Sequence, residues 1–145
     1  MKLLNEMKLT FKSRSANESF ARTAVAAFIA SLDPTVDEIT EIKTAVSEAV
    51  TNCIVHAYQE SIANIYITAA IYPGNRVVIK IKDKGCGIAD IEKAMEPLYT
   101  TCQSGERAGL GFAVMQSVCD KIKVSSTVGK GTTVTLIRTI ASRGD

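Results

Sequence analysis

No stretch of the chain stays apolar for long enough to cross a bilayer. The longest uninterrupted run, Ala24 to Ala30, is a fraction of a membrane span. A signal-peptide core is also missing, because Met1-Lys2-Leu3-Leu4 is followed at once by Asn5, Glu6 and Lys8. Both absences make the cytoplasm the expected location. The four cysteines (Cys53, Cys86, Cys102 and Cys119) form no CxxC pair, so structural zinc lacks its usual spacing and free thiols are the simplest state in a reducing compartment. An excess of one charge is lacking too: 17 Lys and Arg against 15 Asp and Glu leave a formal net charge of +2, and the basic residues are scattered along the sequence. That scatter offers no footprint for nucleic acid, so neither nucleic acid nor a membrane is expected as a partner. Repeats, low-complexity tracts and internal linkers are absent. What remains is a chain of 145 residues, 46% hydrophobic and 22% charged, enough for one domain spanning residues 1–145 around a substantial core.

Met7 to Lys12 alternates apolar and polar residues, the period of a half-buried strand. Ser15 and Glu18 are spaced as a capping box, and Phe20, Ala24, Ala27 and Phe28 then recur at helical spacing as far as about Leu32. Asp33-Pro34 interrupts. Thr35 and Glu38 form a second capping box, opening a long helix to about Tyr58. Asn64 to Tyr72 and Arg76 to Lys82 are alternating, β-branched runs separated by Pro73-Gly74-Asn75, a hairpin signal. A short helix is expected over Ile88 to Met95 and a loop over Pro97 to Arg107. A helix then runs from Ala108 to about Asp120, followed by strands Ile122 to Thr127 and Thr132 to Thr139. Strands that pair by hairpins while helices gather apart point to an α+β two-layer sandwich. Its sheet would be mixed but mostly antiparallel, with helices on one face and the other face solvated or open to a partner.

Four constellations could carry chemistry. Glu48, Asn52 and His56, the last being the only imidazole, recur every four residues and form one slanted polar stripe on a helix whose other side is apolar. An acid and an amide so placed could serve a hydrated cation such as Mg²⁺, with one Asn oxygen and ligand phosphates completing the shell. Glu48 could then deprotonate an attacking hydroxyl. Asp83-Lys84-Gly85-Cys86-Gly87 places a carboxylate at a strand end beside backbone that can turn sharply, suited to an exocyclic amine such as that of adenine; a plain turn would look the same. Gly105 to Gly111 leads into a helix N-terminus, a natural seat for phosphate, although it completes neither a Walker A loop nor a dinucleotide fingerprint. Gly131-Thr132 opens the last strand with a hydroxyl that could share the base-reading task.

In this order and spacing, the set resembles the GHKL ATPase superfamily of gyrase, heat-shock protein 90 and the histidine kinases. Glu48 with Asn52 resembles its N box, Asp83-x-Gly85-x-Gly87 its first glycine box, Gly109-x-Gly111 its second, and Gly131-Thr132 its terminal Gly-Thr element. Within it, Asn17 to Arg22, Ser47 to Asn52, Pro97 to Thr101 and Gly109 to Phe112 are similar to the anti-sigma serine kinases, nearer the sporulation branch than the general stress-response branch. The likeness runs from about Met7 to Ile140. It implies a Bergerat sandwich that binds Mg²⁺ and ATP, with Asn52 as metal ligand and Glu48 as general base toward a partner's serine. Asp83 and Thr132 would read adenine. Gly85, Gly87, Gly109, Leu110 and Gly111 would shape the phosphate region, while Thr100, Thr101 and Arg107 would belong to an ATP lid. The implied partners are a sigma factor, bound by a homodimer, and an anti-anti-sigma protein as the phosphorylated substrate, with Arg22 a partner contact. A non-catalytic nucleotide-binding module that only sequesters a sigma factor is the alternative, and Cys86 inside the first glycine box is a departure from the family pattern.

Overall fold

A computed structural model describes residues 2–58, 61–88 and 108–141. Within them, five strands form one sheet: β1 (Asn5–Lys12), β2 (Asn64–Tyr72), β3 (Arg76–Asp83), β4 (Lys121–Thr127) and β5 (Gly131–Thr139). The order across the sheet is β1-β2-β3-β5-β4 and every pairing is antiparallel. Three α-helices, α1 (Ala16–Ile29), α2 (Val36–Asn52) and α3 (Ala108–Val118), pack on it, with α2 in the middle between the other two. The expected α+β sandwich is therefore the fold. Among the described residues no helix is long and apolar enough to cross a membrane.

The layers follow from periodicity. Ile65, Ile67, Ala69, Val77, Ile79, Ile81, Val134 and Leu136, alternate residues of the three central strands, are buried toward the helices. Val25 and Ile29 of α1, Ile42, Val46 and Val50 of α2, and Phe112 and Met115 of α3 close over them. Each such side chain removed from water contributes about 1.5–3 kcal/mol, which is why a sheet with one wet face is stable once helices cover the other. The 72-to-76 connection is the anticipated hairpin, with Gly74 and Asn75 both at positive φ.

Helix α2 begins with the anticipated capping box. Glu38 N donates to Thr35 Oγ1 at 3.0 Å and Thr35 N donates to Glu38 Oε1 at 2.9 Å. The second Glu38 oxygen accepts the Ala141 N–H at 2.8 Å, tying the end of the last strand to the start of α2. These donors, Ala141 first and Thr35 second, hold the Glu38 carboxyl below its usual range.

Two local expectations fail. Ser15 makes no side-chain cap, because its backbone is itself helical and its carbonyl rather than its hydroxyl receives the Glu18 N–H; the Glu18 carboxylate accepts the Ser47 hydroxyl of α2 and lies 3.5 Å from Arg22 Nη1. The buried face of α1 is Ala21, Val25 and Ile29, whereas Phe20 is 51% exposed and meets Phe11 edge-on at 6.4 Å between ring centroids. The short helix expected over Ile88 to Met95 and the loop over Pro97 to Arg107 lie outside the described residues, apart from Ile88.

Replacing Thr35 with Ala should lower unfolding free energy by about 1 kcal/mol in urea denaturation. Glu38→Gln should also destabilise at neutral pH. Because the folded carboxyl titrates below its unfolded counterpart, that difference should shrink as pH falls through the lowered Glu38 value.

Candidate functional site

The ends of β3 and β5, the end of α2 and Phe112 of α3 border an open cleft with about 420 Å³ of space, counted out into the solvent at its mouth. Among the residues lining it are Asn52, His56, Asp83, Gly87, Phe112 and Thr132. The cleft thus gathers one expected residue from the N box, two from the first glycine box and one from the terminal element.

Asp83 is its fixed point. It ends β3 opposite Thr132 of β5, is only 5% exposed, and its Oδ1 accepts the N–H groups of Gly85 at 2.9 Å and Thr132 at 3.2 Å. The Cys53 thiol reaches Oδ2 at 3.5 Å. Burial nevertheless outweighs these donors and raises the carboxyl above its usual range. The same burial, with Asp83 facing it, drives the Cys53 thiol well above its ordinary value. Thr132 Oγ1 pairs with Ser126 Oγ at 2.7 Å, and Ser126 in turn receives the Ile88 N–H at 2.7 Å, so the hydroxyl beside Asp83 is itself anchored.

The turn after Asp83 needs small residues for reasons of space. A side chain on Gly85 would run into the Ala57 backbone, and Gly87, at φ +77, backs onto the Thr127 carbonyl. Lys84 N donates to Tyr58 Oη at 2.5 Å and Tyr58 Oη donates to Asn64 O at 2.9 Å, pinning the turn to the end of the α2 segment. Lys84 Nζ lies 5.0 Å from the centre of the Tyr66 ring, on the opposite side of the sheet from the helices.

Helix α2 does not run unbroken to Tyr58. It ends at Asn52 and passes into a π-helical turn, Cys53–Ala57. The expected stripe is therefore interrupted at its middle member, and His56, 4% exposed, is carried into the wall of the cleft. Such π turns are rare and concentrate at functional positions. Asn52 at the junction faces Gly111 in the first turns of α3: a Cβ there would stand 3.2 Å from both Asn52 side-chain polar atoms and 3.4 Å from Glu48 Oε1. Asn52 Nδ2 is buried without a hydrogen-bond partner among the described residues, an amide disposed to meet something outside the protein.

Glu48 opens elsewhere. It lines a separate polar groove with Arg22, Thr40, Lys43, Thr44 and Ser47. The structure thus brings the expected base and the expected partner arginine to one opening, and the expected cation ligand to the adjoining cleft. Gly109, Leu110 and Gly111 fall at the start of α3. Thr100, Thr101 and Arg107 lie outside the described residues. Cys53 is a cleft residue that the sequence does not single out, and His56, expected on the stripe, enters the cleft wall through a π turn that has no sequence signal. The free-thiol expectation holds for Cys53 and Cys119.

No group of three or more His, Cys, Asp or Glu able to hold a metal by itself occurs among the described residues. A hard cation held chiefly by phosphate oxygens needs none, and a single carboxamide oxygen at Asn52 suits it.

Comparison with known proteins agrees with this geometry. Residues 11–138 match the family described as Histidine kinase-like ATPase domain. An anti-sigma F factor of Thermoanaerobacter sp. (strain X514) is 58% identical over 98% of this chain and 99% of its own length. The anti-sigma F factor of Geobacillus thermodenitrificans (strain NG80-2) is 51% identical over 94% of each. Among solved structures, the RsbU and RsbW domains of a Mycobacterium tuberculosis protein align over 98% of this chain and 35% of theirs, with a TM-score of 0.69 at 18% identity. The histidine kinase domain of the Erythrobacter litoralis blue-light activated kinase aligns over 85% of this chain and 60% of its own, with a TM-score of 0.55 at 18% identity. These two show the shared fold. The family match carries with it the use of ATP.

Asp83→Asn separates folding from binding. The folded carboxyl titrates above its unfolded counterpart, so its charge opposes folding once pH rises from the ordinary Asp range through the raised value. The amide variant should melt at higher temperature than the parent at neutral pH, and the gain should vanish at acid pH. ATP affinity should fall by about ten- to a hundredfold in the same variant, the scale of one hydrogen bond to a charged group.

Proposed function

The chain belongs to the anti-sigma F factor family of histidine kinase-like ATPase domains, and from that membership we propose that it holds a sporulation sigma factor inactive and uses ATP to phosphorylate a serine of an anti-anti-sigma protein. The observation that carries this reading is the two-sided placement of one helix. Asn52 faces the cleft with Asp83 and Thr132, and Glu48 faces the groove with Arg22. A nucleotide in the first and a protein hydroxyl in the second would meet at Gly111, the small residue packed against both side chains.

The parts then divide as follows. Asp83 accepts the adenine amine, with the Thr132 hydroxyl beside it. The glycines at 85 and 87 let backbone pass close to the base. Asn52 offers its carboxamide oxygen to Mg²⁺, and the bound cation would neutralise charge on the phosphates. Glu48 accepts the proton of the incoming serine hydroxyl as its oxygen attacks the γ-phosphorus, while ADP departs. Thr100, Thr101 and Arg107 would contribute contacts to the nucleotide, Arg107 to its γ-phosphate. Arg22, 39% exposed and only loosely paired with Glu18, is available to a carboxylate of the partner. A homodimer would use the β1 and α1 side, where Leu3, Leu4 and Phe20 are exposed and β1 is a sheet edge.

Glu48→Gln should lower phosphorylation of the partner by about 10²–10⁴-fold in single-turnover assays while ATP binding persists. Normal transfer by this variant would remove Glu48 as the base. Asn52→Ala should abolish the part of ATP affinity that depends on Mg²⁺, measured by titration with and without the cation; an unchanged Mg²⁺ dependence would refute the ligand assignment.

A further inference from the structure

The solvent face of the sheet takes no part in the site above, yet it gathers cations from three of the five strands. Register places Lys8, Thr68, Lys80, Thr135 and Lys123 in a single row across all five strands. Lys12, Arg76, Lys82 and Lys121 alternate with core residues on their own strands and so point the same way. Seven of the chain's 17 cations therefore share a face to which the strands contribute one of its 15 acids, Glu6. With a net charge of +2 overall, the rest of the molecule is acidic. Scatter along the sequence is what hides this face: alternation separates its lysines, and only pairing brings them together.

Two aromatic rings stand among these cations. Tyr66 and Tyr72 are half-buried on the same side of β2, and Tyr72 lines a shallow groove with Arg76, Lys80, Lys123 and Thr135. Successive lysines of the central row stand two strands apart, about 10 Å, with threonine hydroxyls between them.

We propose that this face binds single-stranded nucleic acid, with phosphates on the lysine rows and a base stacked at Tyr72. A second copy of the chain is disfavoured as occupant, since face-to-face pairing would oppose one lysine row to another. A stable protein interface is disfavoured because such interfaces are depleted in lysine. Cations and aromatic rings together on an open antiparallel sheet are instead the two elements of a sequence-tolerant single-strand platform. The proposal does not depend on the kinase reading.

The test is fluorescence anisotropy of the intact protein with a labelled oligothymidylate of about twenty nucleotides, a duplex of the same length, and poly-glutamate as competitor. The expected result is single-strand binding whose log affinity falls with log salt by about 0.7 per phosphate contact, a slope near −3 for about four contacts. K80E combined with K123E should lower affinity more than tenfold and flatten the slope, with ATP binding unchanged as a check on folding. Tyr72→Ala should weaken binding by about fivefold or more and leave the slope alone, the mark of stacking. Three results would each overturn the proposal: no single-strand binding at about 50 mM salt; binding untouched by the double substitution; or displacement by poly-glutamate of equal charge at equal concentration, which would make the face an acidic-protein surface.

Discussion

The cleft depends on a carboxylate kept away from water. Asp83 stands at the end of the central strand of the sheet, opposite Thr132, with backbone N–H groups on one oxygen and a thiol on the other. The surrounding structure satisfies most of its acceptor capacity but does not repay its burial, so its proton is held more tightly than in water. A fold that keeps such a group gains by using it. The neighbours are arranged around that need: Thr132 and Ser126 brace the adjacent hydroxyl, Tyr58 fixes the turn, and glycines at 85 and 87 make the passage of backbone possible.

Helix α2 connects this fixed point to the chemistry. Its N-terminus is secured by the Thr35–Glu38 box and by Ala141, and its far end carries the groups proposed for the chemistry. There it changes from α to π, and the change assigns different surroundings to residues that a uniform helix would align. Asn52 and His56 go to the cleft, and Glu48 stays over the groove beside Arg22. Gly111 lies against both Asn52 and Glu48, so α3 can approach closely at the one place where nucleotide and acceptor would have to meet.

Much of this was legible in the sequence, where local chemistry and long-range packing agree. The β2–β3 hairpin follows from alternation and a Gly-Asn turn, and the α2 cap from Thr35 and Glu38, because both are decided within a few residues. The ordered motifs were enough to pick out Asn52, Asp83 and Thr132 as neighbours across the fold. What failed was decided at a distance. Ser15 gives no side-chain cap, its backbone being itself helical, and the Glu18 carboxylate meets Ser47 of another helix and Arg22. The buried face of α1 is displaced by one residue from the expected one, and Phe20 stays exposed with its ring against the edge of the buried Phe11. The π turn, the Cys53–Asp83 contact and the cationic sheet face leave no periodic trace, the last because a strand shows only every second residue to either side.

The central claim is that Asp83 serves to recognise the amino group of adenine at the mouth of an ATP site. It is tested most directly by measuring the affinity of the protein for ATP and for inosine triphosphate, which carries an oxygen where adenine carries the amine. The account predicts that inosine triphosphate binds at least about a hundredfold more weakly, because an acceptor would face a buried carboxylate that expects a donor. Equal affinities would contradict it and leave the buried charge of Asp83 without a functional explanation.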